Sequence, residues 1–429
     1  MTRKKLWIKP IIEQLTDIWI YIGCFVALFA VGYYAQLIKY YPTNFHLGQW
    51  DASLYEDIAF NGYYHDPINR RTTIAFFPGF PYLWRLLHLS KLQISAFNFT
   101  LYFTSFIWLS KTFSFQKIHR LLFLSVPSTI FYFLPYSESL FFLSSTIILI
   151  ALKKHNYKLF LIGLAASSWV RSVGIVFLPA LILIYLMSQN TNKAIGKKQL
   201  IGGIIVIVLN TFLVFYFQYV ETNEWFVFFE AQSFFGRNFS FPKFPLTTIE
   251  GTSILWLDGF ALLLSNYAII VLCILIIKKI KNKLFAVDNS FILSIAYLSI
   301  IGFIGIFYGG VTRLNNGTSL WSLNRFIFST PFFMVFISQI PKDIIKKSSN
   351  FAFFALIFTL FELGLYKKNV QHTYYYQTLV YFMISSIYYI ITYYVALEKK
   401  IFFLKTIFFI NILISIYLFD RFLSGLWVA

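Results

Sequence analysis

Three carboxylates fall within seven residues, Asp51, Glu56 and Asp57, in a chain that is 58% hydrophobic and only 12% charged. They belong to the polar stretch from Gln49 to Tyr63, the first after the opening apolar run. A carboxylate at a solvent cleft can take the proton of an attacking hydroxyl, and Asp51, directly after Trp50, is expected at the mouth of a tight connection. A structural role competes with that one. Ser53-x-x-Glu56 has the form of a capping box and Asn61-Gly62 of a helix stop, so a two-turn helix is expected from Ser53 to Asn61. Asp51 would then only cap it, with Glu56 and Asp57 as capping or solvated charges; local pattern by itself favours this cap.

Four other places carry chemistry. In Leu134-Pro135-Tyr136-Ser137-Glu138-Ser139 an apolar run breaks; Ser137 is expected to cap the next helix with Glu138 in its first turn. The alternative for Glu138 is a second carboxylate for a sugar hydroxyl, or a partner for Arg171. That arginine, in Trp169-Val170-Arg171-Ser172-Val173-Gly174, is costly in mid-run unless it meets water or a partner, which predicts a broken or re-entrant helix, or else a snorkelling side chain. Gln232, Arg237 and Asn238, followed by Pro242 and Pro245, form a polar, kinked loop, and Arg325 opens a further apolar run after Trp321-Ser322-Leu323-Asn324. Arg171, Arg237 and Arg325 could each hold a phosphate. The prolines of Ala75-Phe76-Phe77-Pro78-Gly79-Phe80-Pro81 argue against a regular helix and predict a rigid turn. No P-loop, dinucleotide fingerprint, His-Glu-x-x-His or Gly-x-Ser-x-Gly occurs, and His65 and His88 have no metal-ligand company along the chain. Cys24 and Cys273 lie in apolar runs, so neither a disulfide framework, a metal nor a cofactor is expected.

The elements that must position these groups are hydrophobic. Over 429 residues the mean hydropathy is +0.68 and aromatics make up 21%, the composition of a polytopic all-α membrane protein. Spans are expected near 17–38, 96–113, 121–135, 137–152, 158–170, 174–188, 200–220, 254–277, 289–308, 325–340, 351–366, 377–397 and 401–419, a bundle of about 11–13 transmembrane helices in one integral membrane domain covering 1–429. The run from Ile18 to Leu37 is too long for a cleaved signal peptide and is expected to be a retained anchor. Three segments outside the spans are long enough to build a site: 39–95, 221–253 and 309–324. The first two hold short apolar stretches, 76–88 and 225–235, suited to helices lying in the interface.

A net charge of +19 could suggest nucleic acid, but in such a chain basic residues mark cytoplasmic loops. With a cytoplasmic N-terminus, the segments near 1–16, 111–120, 153–158, 189–199, 278–288, 341–350 and 398–405 carry 23 of the 36 Lys and Arg, while 12 of the 17 acids fall on the other side. Eight of the ten arginines (Arg70, Arg71, Arg85, Arg171, Arg237, Arg313, Arg325 and Arg421) also lie on that outer side. Topology does not separate Arg from Lys, whereas two-point recognition of phosphate or carboxylate does. The outer face is therefore expected to be the working face, with an anionic ligand.

Taken in order, Trp50-Asp51 with Ile58-Ala59 and Gly62-Tyr63, then Phe76-Phe77-Pro78-Gly79-Phe80-Pro81, Pro127-Ser128 with Tyr136-Ser137-Glu138-Ser139, and Arg171-Ser172-Val173-Gly174 resemble the PIG-V family, which contains the second mannosyltransferase of GPI-anchor synthesis and bacterial relatives. The resemblance covers roughly the first 180 residues, and more loosely the Gln232–Arg237 loop and Arg325. It implies a GT-C glycosyltransferase fold with a large first outer loop. It also implies a polyprenyl-phosphate-mannose donor, inverting transfer to a glycolipid or glycan acceptor, and Asp51 as the catalytic carboxylate. Trp50, Glu138, Arg171, Gln232, Arg237 and Arg325 are then candidates for donor phosphate or substrate binding. Compact loops suggest the bacterial cytoplasmic membrane with the site outward; the alternative is the endoplasmic reticulum membrane. The chemistry is compatible: a lipid phosphate leaves with the help of positive charge, one carboxylate serves the acceptor hydroxyl, and a single displacement inverts the centre, unlike the paired carboxylates of retaining hydrolases. The scheme requires no metal. The rival reading, a transporter or flippase for an anionic lipid or solute, predicts inverted repeats and charges near the midplane, and no repeat is visible; a sugar-polymer ligase would share the outer arginines.

Overall fold

The computed structural model describes residues 3–188, 196–248, 255–281, 287–310, 317–320, 322–340, 353–363 and 401–428. The expected span at 377–397, Arg313 and Trp321 lie outside them. The described chain is mostly helical, with one two-stranded ladder pairing β1 (His65–Asp66) with β2 (Arg71–Thr72) and a lone bridge between Thr247 and Ser319. In chain order α1 is Arg3–Tyr34, α2 Asp51–Asn61, α3 Gly79–Leu87, α4 Lys91–Phe113, α5 Lys117–Ser125, α6 Glu138–Lys153, α7 Tyr157–Val170 and α8 Phe177–Ser188. Then come α9 Lys197–Thr222, α10 Val227–Phe234, α11 Leu255–Ile280, α12 Asn289–Phe307, α13 Leu323–Phe328, α14 Phe332–Gln339, α15 Phe353–Glu362 and α16 Ile401–Leu423.

Five described helices contain stretches long and apolar enough to cross a bilayer: Ile11–Tyr34, Lys197–Thr222, Trp256–Ile280, Asn289–Phe307 and Lys405–Leu423. On α9 the side chains of Ile201, Ile205, Leu209, Phe212 and Leu213 are all exposed. An unbroken apolar face of that kind is unfavourable in water and favourable against lipid. Several expected spans are shorter or interrupted. The run at 121–135 is α5 followed by a 3₁₀ turn at Pro127–Tyr132, and the run at 325–340 is two short helices, α13 and α14, parted before Pro331. Proline has no N–H to continue a ladder, which is why both runs break where they do. With 14 residues, α7 rises only about 21 Å at about 1.5 Å per residue, less than the hydrocarbon thickness of about 30 Å.

Caps set several of the boundaries. Ser90 and Gln93 form a reciprocal capping box on α4, Asn156 caps α7, and Asp288 caps α12. The interior is aromatic: Tyr102 stacks on Tyr132 at 3.9 Å, and Tyr297 on Phe332 at 4.1 Å. Among the described residues Arg120 pairs with Asp17 at 2.6 Å, Lys153 with Asp288 at 2.5 Å, and the Lys39 amide donates to Asp420 on α16. Elsewhere α2, α6 and α13 bring their ionised residues together.

Candidate active site

The polar stretch from Gln49 to Tyr63 folds differently from its capping pattern. The helix begins at Asp51, not Ser53, and Ser53 donates to the Trp50 carbonyl rather than capping through Glu56. Trp50 holds φ 55°, ψ −129°, a left-handed setting that a bulky residue seldom adopts. That turn aims Asp51, the first helical residue, into a cleft of about 580 Å³. Glu56 instead pairs with Lys91 at 2.8 Å, and Asp57 accepts from Asn61. Competing partners thus remove the neighbouring acids and leave Asp51 as the acid of α2 that lines the cleft.

Ser137 does not cap α6 either; its hydroxyl is 2.8 Å from Tyr55 Oη, tying α2 to the start of α6. Glu138 is fully buried and takes both arginines on one oxygen: Arg171 Nη1 at 2.7 Å, and Arg325 Nε in direct contact. Glu138 thus lies in the first turn of α6 as expected and is also the partner of Arg171 that the sequence offered as the alternative, with Arg325 as a second guanidinium. Arg171 sits where the helix breaks, in extended conformation between α7 and the 3₁₀ turn Ser172–Val176. Its guanidinium also covers the Phe326 ring at 4.7 Å.

Arg325 is the junction. While Nε contacts Glu138, Nη1 reaches Asp51 Oδ2 at 2.5 Å, and the guanidinium lies over Tyr136 at 4.4 Å. Such a fork satisfies two carboxylates at fixed angles, as a lysine could not. Its backbone is placed from behind: Asn324 donates to the buried Asp258 through both its amide N–H, at 2.9 Å, and its side chain, at 2.7 Å. Ser128 donates to Asn324 Oδ1 at 3.1 Å, fixing that side chain.

Arg237 completes the cleft. Its Nη1 donates to Gln232 Oε1 at 3.3 Å, its backbone N–H to the Gln232 carbonyl at 3.0 Å, and its guanidinium lies 6.0 Å from the Phe326 ring. Burial, opposed by Asp51 and reinforced by Arg325 and Arg171, lowers it from the usual arginine range to about 10. The cleft wall thus holds Trp50, Asp51, Arg171, Arg237 and Arg325, with Glu138 behind them. Among the described residues the cleft sets three guanidiniums against two carboxylates. Gln232 lines instead an adjoining apolar groove of about 350 Å³, which meets the cleft at Ser172, Arg237 and Phe326.

Sequence reasoning missed several lining residues. Trp427, beyond α16, closes on Trp50 edge-on at 5.0 Å and also lines the cleft. Tyr55 and Phe326 carried no signal apart from aromatic character, which in this chain is everywhere. The double-proline motif starts α3 instead of preventing a helix: Pro78 is its N-cap and Pro81 lies in its first turn, where a missing N–H costs nothing. Gly79 lets α3 approach α7, since a Cβ there would come within 2.8 Å of the Trp169 carbonyl oxygen. His65, followed by Asp66 but part of no metal-binding motif along the chain, acquires Glu224 and Glu230 in space.

Compared with family models, with curated proteins and with solved structures, the chain has no match.

Proposed function

We propose that this chain is a GT-C-type membrane glycosyltransferase of about 11–13 spans, similar to the PIG-V family. It transfers mannose from a polyprenyl-phosphate-mannose donor to a glycolipid or glycan hydroxyl, on the outer face of a bacterial cytoplasmic membrane. The observation that carries this reading is Asp51 in a cleft with Arg171, Arg237 and Arg325, three guanidiniums facing two carboxylates among the described residues, opening onto an apolar groove. The groove suits the lipid of a donor whose phosphate lies among the arginines.

The reaction is one displacement. The acceptor oxygen bonds to the anomeric carbon as the carbon–oxygen bond to the lipid phosphate breaks, and the pair of electrons leaves on the phosphate. The arginines stabilise that developing charge, which is most effective where water is excluded. Asp51 takes the acceptor proton, and attack opposite the leaving group inverts the centre. Donor phosphate competing for Arg325 would release the Asp51 carboxylate for this task, so binding and base activation are linked.

The test is transfer of labelled mannose from synthetic polyprenyl-phosphate-mannose in membranes carrying wild type or Asp51→Asn. Loss of about 10²–10⁴-fold is expected from removing a general base. Full activity in Asp51→Asn sinks the base assignment. Movement of intact lipid across the membrane without sugar transfer sinks the enzyme and supports the transporter.

A further inference from the structure

The first and second outer segments also meet outside the cleft. His65 in β1 pairs in register with Thr72 in β2, and its ring lies flat on Phe234 of α10, 5.4 Å between centroids with 4° between planes. The side chain is 3% exposed. Its Nδ1 is 3.1 Å from Thr72 Oγ1. That hydroxyl accepts the Ile74 N–H and lies 3.3 Å from the Tyr64 carbonyl oxygen; when its proton goes to Tyr64 it accepts from Nδ1–H, the tautomer that leaves the lone pair on Nε2.

That lone pair is buried and makes no hydrogen bond. Facing it are Glu230, whose Oε2 is 3.6 Å away, and Glu224; all three donor atoms lie within 4.8 Å of one another. Two ligands each about 2.0–2.1 Å from a tetrahedral ion stand about 3.3 Å apart, so the His65–Glu230 spacing is nearly that of a shared ion. Both glutamates are exposed and can close by rotamer changes. An oriented neutral imidazole backed by a hydrogen-bond acceptor is the arrangement that metal-binding histidines use. A nitrogen donor with two carboxylates favours zinc-class ions over calcium or magnesium.

We propose that His65, Glu224 and Glu230 form a binding site for a divalent transition metal of the zinc class, clamping the second outer segment onto the first. Its rival is a simple ion pair between protonated His65 and Glu230. The test uses the full chain without a polyhistidine tag, purified in detergent, stripped with chelator and titrated with Co²⁺ by visible absorption, with Zn²⁺ as competitor. One Co²⁺ per chain, displaced by Zn²⁺, and a thermal midpoint that rises with Zn²⁺ are expected. His65→Gln and Glu230→Gln should each weaken binding tenfold or more; Glu230 is exposed, so its variant keeps the test valid if His65→Gln misfolds. No saturable Co²⁺ binding, or binding unchanged in Glu230→Gln, overturns the site and leaves the ion pair.

Discussion

Arg325 Nη1 lies 2.5 Å from Asp51 Oδ2, a bond between residues 274 positions apart in the chain. The same guanidinium contacts Glu138 through Nε, so the proposed base and the buried acid of α6 share one cation. Charge-assisted bonds of this kind are roughly twice as strong as neutral ones. They hold Asp51 at the cleft wall, while only a competing anion on Arg325 would release it.

Glu138→Gln should destabilise the fold. The amide keeps the shape but leaves Arg171 and Arg325 without their buried counter-charge, and such a loss costs about 3–5 kcal/mol. Thermal unfolding in detergent would measure it; a midpoint within experimental error of wild type would show that the pairs are not structural.

Arg325→Lys conserves charge but not the fork that meets Asp51 and Glu138 together. Mannose transfer should fall by about 10²-fold, the usual effect of losing one donor to a developing oxyanion. The assay is run on equal amounts of membrane protein, and wild-type rates would exclude two-point geometry as the reason for arginine.

Arg237, lowered to about 10 chiefly by burial, is charged below that pH and neutral above it. Inhibition of transfer by polyprenyl phosphate should hold on the acid side and weaken as pH rises through about 10. In Arg237→Gln that step should vanish, leaving uniformly weaker inhibition.

Gly79→Val should push α3 off α7, because the new Cβ meets the Trp169 carbonyl oxygen at 2.8 Å and its carbon at 2.9 Å, both rigid backbone atoms. Overpacking of this kind costs about 1–3 kcal/mol. Gly23→Ala, inside α1 with no described atom within 4 Å of its Cβ, is the control and should not lower the thermal midpoint, since alanine is the better helix former.

The sequence by itself determined the solvent and the inventory. Hydropathy established a helical membrane chain, because in lipid the backbone must satisfy its own hydrogen bonds. The contrast between Arg and Lys marked eight arginines as candidates, Arg171, Arg237 and Arg325 among them, since side-chain chemistry can be read without coordinates. Tertiary structure decided what each ionised group meets. Ser53 and Ser137 have the local form of caps, yet Ser53 donates to Trp50 and Ser137 meets Tyr55, while Glu138 keeps its first-turn place and takes Arg171, the partner the sequence offered, together with Arg325, which it did not. The resemblance already preferred Asp51 to Glu56 and Asp57, and the structure adds a physical reason, since Lys91 and Asn61 hold those two acids. Trp427 and the His65–Glu224–Glu230 cluster were invisible in the sequence alone. A local pattern states what a side chain can bond to, whereas packing across hundreds of residues settles which partner is within 3 Å and shielded from water, and in a low-dielectric interior that partner prevails.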